Sequence, residues 1–170
     1  GAMFVQLISM SNMSGGGSYE VNPIAYLGFA FSLFACLRLA KFNLDTRQTD
    51  SFIGLATPAA TIFVLGIYLN FFDQDFTIVP TFAFKIIYQT LSVFVMIAVL
   101  CYLMISEIPM FSLKGNFTKW KGNEIKIVFL ILSVIVLFTL QEIGLSVVII
   151  LYIIASIVNA YLQKSRNLAN

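Results

Sequence analysis

Long apolar runs separated by short polar stretches dominate the sequence. A helix needs roughly 20 apolar residues to cross a hydrocarbon core of about 30 Å. Five runs predict such spans: Ile24 to about Lys41, Ile53 to Phe72, Phe82 to Ile105, Ile125 to Leu140, and Gly144 to Leu162. The shorter run Gly1 to Met10 predicts the end of a cut helix. The pattern therefore predicts an all-α integral membrane protein, a multi-helix transmembrane bundle with about five full spans and one truncated helix.

The stretches between the runs are rich in turn-forming or polar residues. A Gly-rich loop precedes Pro23, which is a favoured first-turn residue and opens the first full span. A polar loop runs from Phe42 to Ser51. The last two spans are joined tightly through Gln141 and Glu142, which predicts a short reversal of the chain between them.

Lysine and arginine are distributed unequally between the two sides of this predicted bundle. One side holds Arg38, Lys41, Arg47, Lys114, Lys119, Lys121, Lys126, Lys164 and Arg166, and the other holds Lys85. Because Lys- and Arg-rich loops stay in the cytoplasm, the richer side is predicted to be cytoplasmic. The protein is then a multi-pass protein of the inner (cytoplasmic) membrane, with its carboxyl terminus in the cytoplasm.

Composition supports a membrane protein and excludes several kinds of chemistry. Hydrophobic residues make up 59% of the chain and charged residues 11%, against about 25% charged residues in soluble domains. The absence of histidine excludes a Ser-His-Asp triad and a His-ligated metal. The net charge of +2 is too small and too divided between loops for a nucleic-acid partner.

The most informative polar residues are Arg38 and Lys41, at the end of the first full span. They are three residues apart and share a helix face near the predicted cytoplasmic interface. In one interpretation they only extend towards the headgroups and obey the positive-inside rule. In the other they form a phosphate site at the depth of an anionic lipid or nucleotide.

Small residues recur every four positions on the same helix: Gly28, Ser32, Cys36 and Ala40. Such a stripe lets another helix approach closely in lipid. Arg38 lies on the other side of the helix from this stripe and is expected to face a cavity or headgroups. The next span begins with Gly54, Thr57 and Pro58, which indicate either a plain helix start or one whose free N–H groups suit an anion.

Two neighbouring motifs resemble those of a known family. They are Arg38-Leu39-Ala40-Lys41-Phe42-Asn43 and, about ten residues later, the set Phe52, Gly54, Leu55, Pro58, Ala59 and Ala60. The pattern resembles bacterial and archaeal phosphatidylserine synthases of the CDP-alcohol phosphatidyltransferase family. The resemblance covers about 25 residues, and Ala56 stands where the family usually has proline.

The resemblance implies transfer of a phosphatidyl group from CDP-diacylglycerol to L-serine with release of CMP. It implies phosphate or serine-carboxylate contacts for Arg38 and Lys41 and a polar contact for Asn43. Gly54, Thr57 and Pro58 would shape the adjacent loop and helix start. Membrane lipids and, as in many members of the family, a second copy of the chain are the other implied partners.

The family's acidic signature, D-x-x-D-G-x-x-A-R-x8-G-x3-D-x3-D, is absent from these 170 residues. Its carboxylates bind a divalent cation (Mg or Mn) and supply the base. The acidic pairs present, Asp45/Asp50 and Asp73/Asp75, fit solvated loops. We therefore expect residues 1–170 to be the carboxyl-terminal portion of the family's membrane domain, inactive alone, with no catalytic or metal-binding residue of its own. Gly1-Ala2-Met3 is either a remnant of cloning or part of the longer protein.

An alternative is a small membrane transporter or a non-catalytic subunit of a membrane complex. A transporter would need a polar site near the middle of the membrane. The centres of the predicted spans carry no Asp, Glu, Lys or Arg, which counts against transport.

Overall fold

The computed structural model describes residues 1–11, 23–44, 51–72, 87, 89–111 and 124–169, which are mostly helical. The helices are α1 (Ala2–Ser11), a 3₁₀ helix (Pro23–Phe29) that continues into α2 (Ala30–Leu44), α3 (Thr57–Phe72), α4 (Thr90–Ile105) and α5 (Glu124–Ala169). Two short strands, β1 (Ser51–Ile53) and β2 (Pro109–Phe111), complete the described elements. The predicted all-α class is confirmed apart from these strands.

The two strands pair antiparallel, with Ser51 opposite Phe111 and Ile53 opposite Pro109. The hydrophobic pattern predicts a polar loop up to Ser51 and a span that starts at Ile53, and the structure corrects both assignments. A three-residue strand carries too few residues for an alternating pattern, and its partner comes from a distant part of the chain. Phe111 is buried in β2, so the pair also contributes to the core.

Helix α5 reverses direction at Gln141, whose φ of 48° and ψ of −124° are not helical. The two arms, 124–140 (α5a) and 142–169 (α5b), lie antiparallel. The ring centroids of Phe129 and Tyr152 are 5.9 Å apart across them. Near the turn, a Cβ on Gly144 would lie 3.0 Å from the carbonyl oxygen of Val136. This confirms the predicted tight reversal between the last two apolar runs.

Two described segments are long and apolar enough to cross a membrane, Pro23–Leu44 and Ile125–Leu162, and the second contains the reversal at Gln141. Helices α3 and α4 are apolar but have 16 residues each, about 24 Å at 1.5 Å per residue. That is less than the roughly 30 Å of a hydrocarbon core. The prediction of five full spans is therefore not confirmed.

Several predicted features lie outside the described residues. They are most of 82–89, the Gly-rich loop, the pairs Asp45/Asp50 and Asp73/Asp75, and the cations Arg47, Lys85, Lys114, Lys119 and Lys121. The predicted orientation in the membrane therefore stays a prediction.

Helix α1 packs against the 3₁₀ helix and the start of α2 through the stripe of small residues. A Cβ on Gly28 would lie 2.9 Å from both the Cβ of Phe4 and the backbone nitrogen of Val5, so only glycine permits this approach. The predicted close contact is confirmed at Gly28. It does not extend along the whole stripe, because Cys36 and Ala40 are exposed.

Helix α3 packs against α5b at a second close approach. A Cβ on Gly66 would lie 2.8 Å from the backbone nitrogen of Ser146. The hydroxyl of Ser146 donates a hydrogen bond of 2.7 Å to the carbonyl oxygen of Phe63. This serine is buried, and the backbone acceptor satisfies its hydroxyl in an apolar interface.

Candidate functional site

The side chain of Arg38 is buried between α2 and the turn that precedes α3, with 8% of the residue exposed. Its Nε donates a hydrogen bond to the carbonyl oxygen of Leu55, and its Nη2 donates one of 3.2 Å to that of Gly54. The expectation that Arg38 faces a cavity or headgroups is wrong. A planar guanidinium presents parallel N–H groups that match two adjacent carbonyls, and burial in an apolar bundle favours such a pairing.

The turn at Gly54 has a geometry that requires glycine. Its φ is +75°, and a Cβ there would lie 2.7 Å from the carbonyl oxygen of Ser106 and 2.9 Å from that of Met104. The N–H groups of Gly54 and Leu55 donate hydrogen bonds of 2.9 Å to the carbonyls of Ile108 and Leu103. The turn is therefore held on one side by Arg38 and on the other by the chain at the end of α4.

Lys41 lies one helical turn beyond Arg38 and contacts the end of α4. Its Nζ donates a hydrogen bond of 2.9 Å to the carbonyl oxygen of Ile105 and lies 4.0 Å from Oε1 of Glu107. Ile105 is the last residue of α4, where carbonyls lack a helical partner and the helix dipole is negative. The side chain of Lys41 is 39% exposed, so the ammonium group also reaches solvent.

The other predicted site residues are divided between this cluster and its surroundings. Thr57 is the first residue of α3 and Pro58 is the second. This position suits proline, because an N–H in the first turn would have no helical acceptor and proline has none. Thr57 also lines a cavity of about 240 Å³ together with Ser32 and Thr61. Asn43 is exposed on the last turn of α2 and shares none of the hydrogen bonds described above.

Tyr152, on α5b, is the neighbour of this site that sequence reasoning missed. Its hydroxyl donates a hydrogen bond of 3.0 Å to the carbonyl oxygen of Phe111, and its ring meets that of Phe111 edge to face at 5.1 Å. In the sequence Tyr152 is one tyrosine within an apolar run, and nothing in that run indicates its partners.

The cluster thus joins four parts of the chain: the end of α2, the turn at Gly54, the end of α4 with β2, and α5b. Its charges are the cations Arg38 and Lys41 and the exposed carboxylate of Glu107. Within the described ranges no three His, Cys, Asp or Glu residues lie together as metal ligands would. The described residues of this cluster therefore offer no ligand set for a divalent cation.

The sequence matches no family model and no curated protein, and the fold matches no solved structure.

Proposed function

We propose that this chain is the carboxyl-terminal portion of a CDP-alcohol phosphatidyltransferase that makes phosphatidylserine. The reaction transfers a phosphatidyl group from CDP-diacylglycerol to L-serine and releases CMP. One observation supports the proposal above the others. Arg38, from the first of the two family-like motifs, donates both of its hydrogen bonds to Gly54 and Leu55, from the second. The two motifs are thus parts of one local structure, as a shared site would require.

In this proposal Arg38 is a positioning residue. Because its Nε and Nη2 already bond to backbone carbonyls, its contribution is to fix the turn and so the start of α3. Pro58 has no N–H and that of Ala60 donates to the Ala56 carbonyl, so the first turn of α3 presents the N–H groups of Thr57 and Ala59 in a set direction. Such groups attract anions, and the helix dipole adds to the attraction.

Lys41 is the proposed phosphate or serine-carboxylate ligand. Its ammonium group is partly exposed, and the bond to Ile105 uses one of its three donors. An anion beside it would form a charge-assisted hydrogen bond, which is stronger than a bond between neutral groups. The weak contact with Glu107 at 4.0 Å leaves the ammonium group able to turn towards such an anion.

A divalent cation, Mg or Mn, would neutralise the pyrophosphate of CDP-diacylglycerol when bound. The residues described do not fit such an ion, because no acidic cluster is present among them. In this proposal the metal ligands and the catalytic base come from outside the 170 residues. The cellular location that follows from the proposal is the inner membrane. The two apolar segments of sufficient length support membrane association in general.

The proposal is tested by substituting Lys41 and Arg38 in the longest natural protein that contains this chain. CMP release from CDP-diacylglycerol is measured with and without L-serine. We expect Lys41→Gln to lower kcat/KM by roughly 10- to 100-fold, the loss of one charged hydrogen bond to substrate. Lys164→Gln, at a cation of the same predicted side, is the matched control and should change the rate by less than about twofold.

Two results would contradict the proposal. One is CMP release that does not depend on L-serine in the unmodified protein. The other is unchanged turnover in both Lys41→Gln and Arg38→Lys. An independent check is the coding sequence that precedes Gly1, where the proposal expects the acidic signature in the same reading frame.

A further inference from the structure

An apolar groove of about 330 Å³ runs between the two arms of α5, on the part of the hairpin far from Gln141. Eight residues line it: Ile125, Val128, Phe129, Leu132, Leu151, Ile154, Ala155 and Val158. All eight are apolar, and four come from each arm at the spacing of one helix face.

The two arms approach each other closely near the turn, and aromatic rings pack between them farther along. Near the turn, Gly144 has no side chain, and its backbone approaches that of Val136. Farther along, the ring of Phe129 lies between the arms and is buried against Tyr152 and Phe111, with centroid distances of 5.9 and 5.7 Å. These rings pack against one another on the side of the hairpin that contacts β2.

The open face is made of side chains that are about half exposed. The exposed fractions are 51% for Val128, 44% for Leu132, 53% for Ile154 and 46% for Val158. A contiguous apolar cleft of this kind is costly in water and marks a surface that contacts something apolar. A hydrocarbon chain matches the wholly apolar lining, because it has no polar group that the lining would leave without a partner.

A cationic residue lies beside one end of the groove. Lys126 is half-buried and directly follows the lining residue Ile125, at the end of the groove far from Gln141. Positive charge beside an apolar groove is complementary to an anionic headgroup attached to a hydrocarbon chain.

We propose that this groove binds one acyl chain of an anionic glycerophospholipid, with the lipid phosphate at the Lys126 end. The site is separate from the cluster at Arg38 and Lys41 and does not depend on the proposed enzymatic function. Phe129 lines the groove and forms part of its floor, and the acyl chain lies along the groove between the two arms.

The test uses phosphatidylglycerol with a photoactivatable group in the middle of one acyl chain. The purified full chain is placed in phosphatidylcholine nanodiscs that contain a small fraction of this probe, and labelled peptides are identified by mass spectrometry. We expect labelling of 125–132 and 151–158 to exceed, by several-fold, labelling of the exposed apolar face of α4 that includes Leu91, Val95 and Val99. Uniform labelling of both surfaces would overturn the proposal, since it indicates ordinary contact with bulk lipid.

Two variants separate groove binding from general contact with lipid. Ala155→Phe fills the groove and should reduce its labelling several-fold. Ala98→Phe makes the same change on the exposed face of α4 and should leave the labelling of the groove unchanged. Circular dichroism verifies the fold of each variant, and Ala155→Leu replaces the larger substitution if Ala155→Phe does not fold.

The headgroup preference is tested with Lys126→Gln. One lysine near a membrane surface raises the affinity for anionic lipid about fivefold. Labelling by the phosphatidylglycerol probe should therefore fall by about that factor in Lys126→Gln. Labelling by a phosphatidylcholine probe with the same acyl chain should not change. Equal labelling by both probes in the unmodified protein would overturn the proposal. So would a change from dimer to monomer in Ala155→Phe, which would assign the groove to a second copy of the chain.

Discussion

Replacing Gly54 by alanine tests the local structure that joins α2, α3 and the end of α4. The substitution adds one methyl group to a turn residue with a φ of +75°. That methyl carbon would lie 2.7 and 2.9 Å from two backbone carbonyl oxygens, those of Ser106 and Met104. Backbone atoms cannot rotate away as a flexible side chain can, so the turn itself must move.

The expected loss of stability has two parts. Holding a residue with a Cβ in the left-handed region costs about 1–2 kcal/mol. Movement of the turn also weakens the hydrogen bond from the Gly54 N–H to Ile108 and the bond from Arg38 to the Gly54 carbonyl. A hydrogen bond to a charged group contributes about 1.5–3 kcal/mol and a neutral one about 1 kcal/mol. Partial loss of both predicts a total of about 3–5 kcal/mol, in the upper range for a single substitution.

The free energy of unfolding is measured for the purified protein in detergent, by denaturant titration followed by circular dichroism. Ala56→Gly is the matched control. It exchanges the same two residue types two positions later, at a residue without a positive φ. It should lower the free energy of unfolding by no more than about 1 kcal/mol. Gly54→Asn should recover part of the conformational cost, because asparagine tolerates the left-handed region, but it keeps the contact of the Cβ. A Gly54→Ala variant within about 0.5 kcal/mol of the unmodified protein would refute this reasoning.

Two further substitutions probe contacts around the same cluster. Tyr152→Phe removes the hydrogen bond to the Phe111 carbonyl but keeps the aromatic ring. The free energy of unfolding should therefore fall by about 0.5–1.5 kcal/mol. An unchanged value would mean that water satisfies that carbonyl equally well. Glu107→Gln removes the carboxylate charge that lies 4.0 Å from Nζ of Lys41. Because both groups reach solvent, the free energy of unfolding should change by less than about 0.5 kcal/mol. A larger loss would show that this ion pair is stronger than its exposure suggests.

The features predicted correctly from the sequence are those with a local signal. The reversal at Gln141 follows from two polar residues between apolar runs of helical length, and Gly28 follows from a stripe of small residues. Both depend on residues close together in the chain. The boundaries of the apolar runs were less informative. Apolar residues continue from β1 into α3, so the sequence does not show that the helix begins at Thr57.

The site was predicted only in part, since its contacts join distant segments. The motifs indicated Arg38, Lys41 and Gly54, and the structure brings these three close to one another. The predicted direction of the Arg38 side chain was wrong. A sequence shows the angular position of a residue on a helix, but it does not show which backbone carbonyls will face that residue. The pairing of β1 with β2, and the bond from Tyr152 to Phe111, depend on tertiary packing with no counterpart in local sequence.

The conformation of Gln141 decides where the two ends of α5 lie relative to each other. If that residue were helical, α5 would be one straight rod of 46 residues, about 69 Å long and more than twice the thickness of a hydrocarbon core. With its φ of 48°, the same residues form two antiparallel arms whose far ends lie on the same side. For arms that cross a bilayer, as the sequence predicts, this one pair of dihedral angles sets whether the chain crosses once or twice, and so which compartment receives the residues that follow.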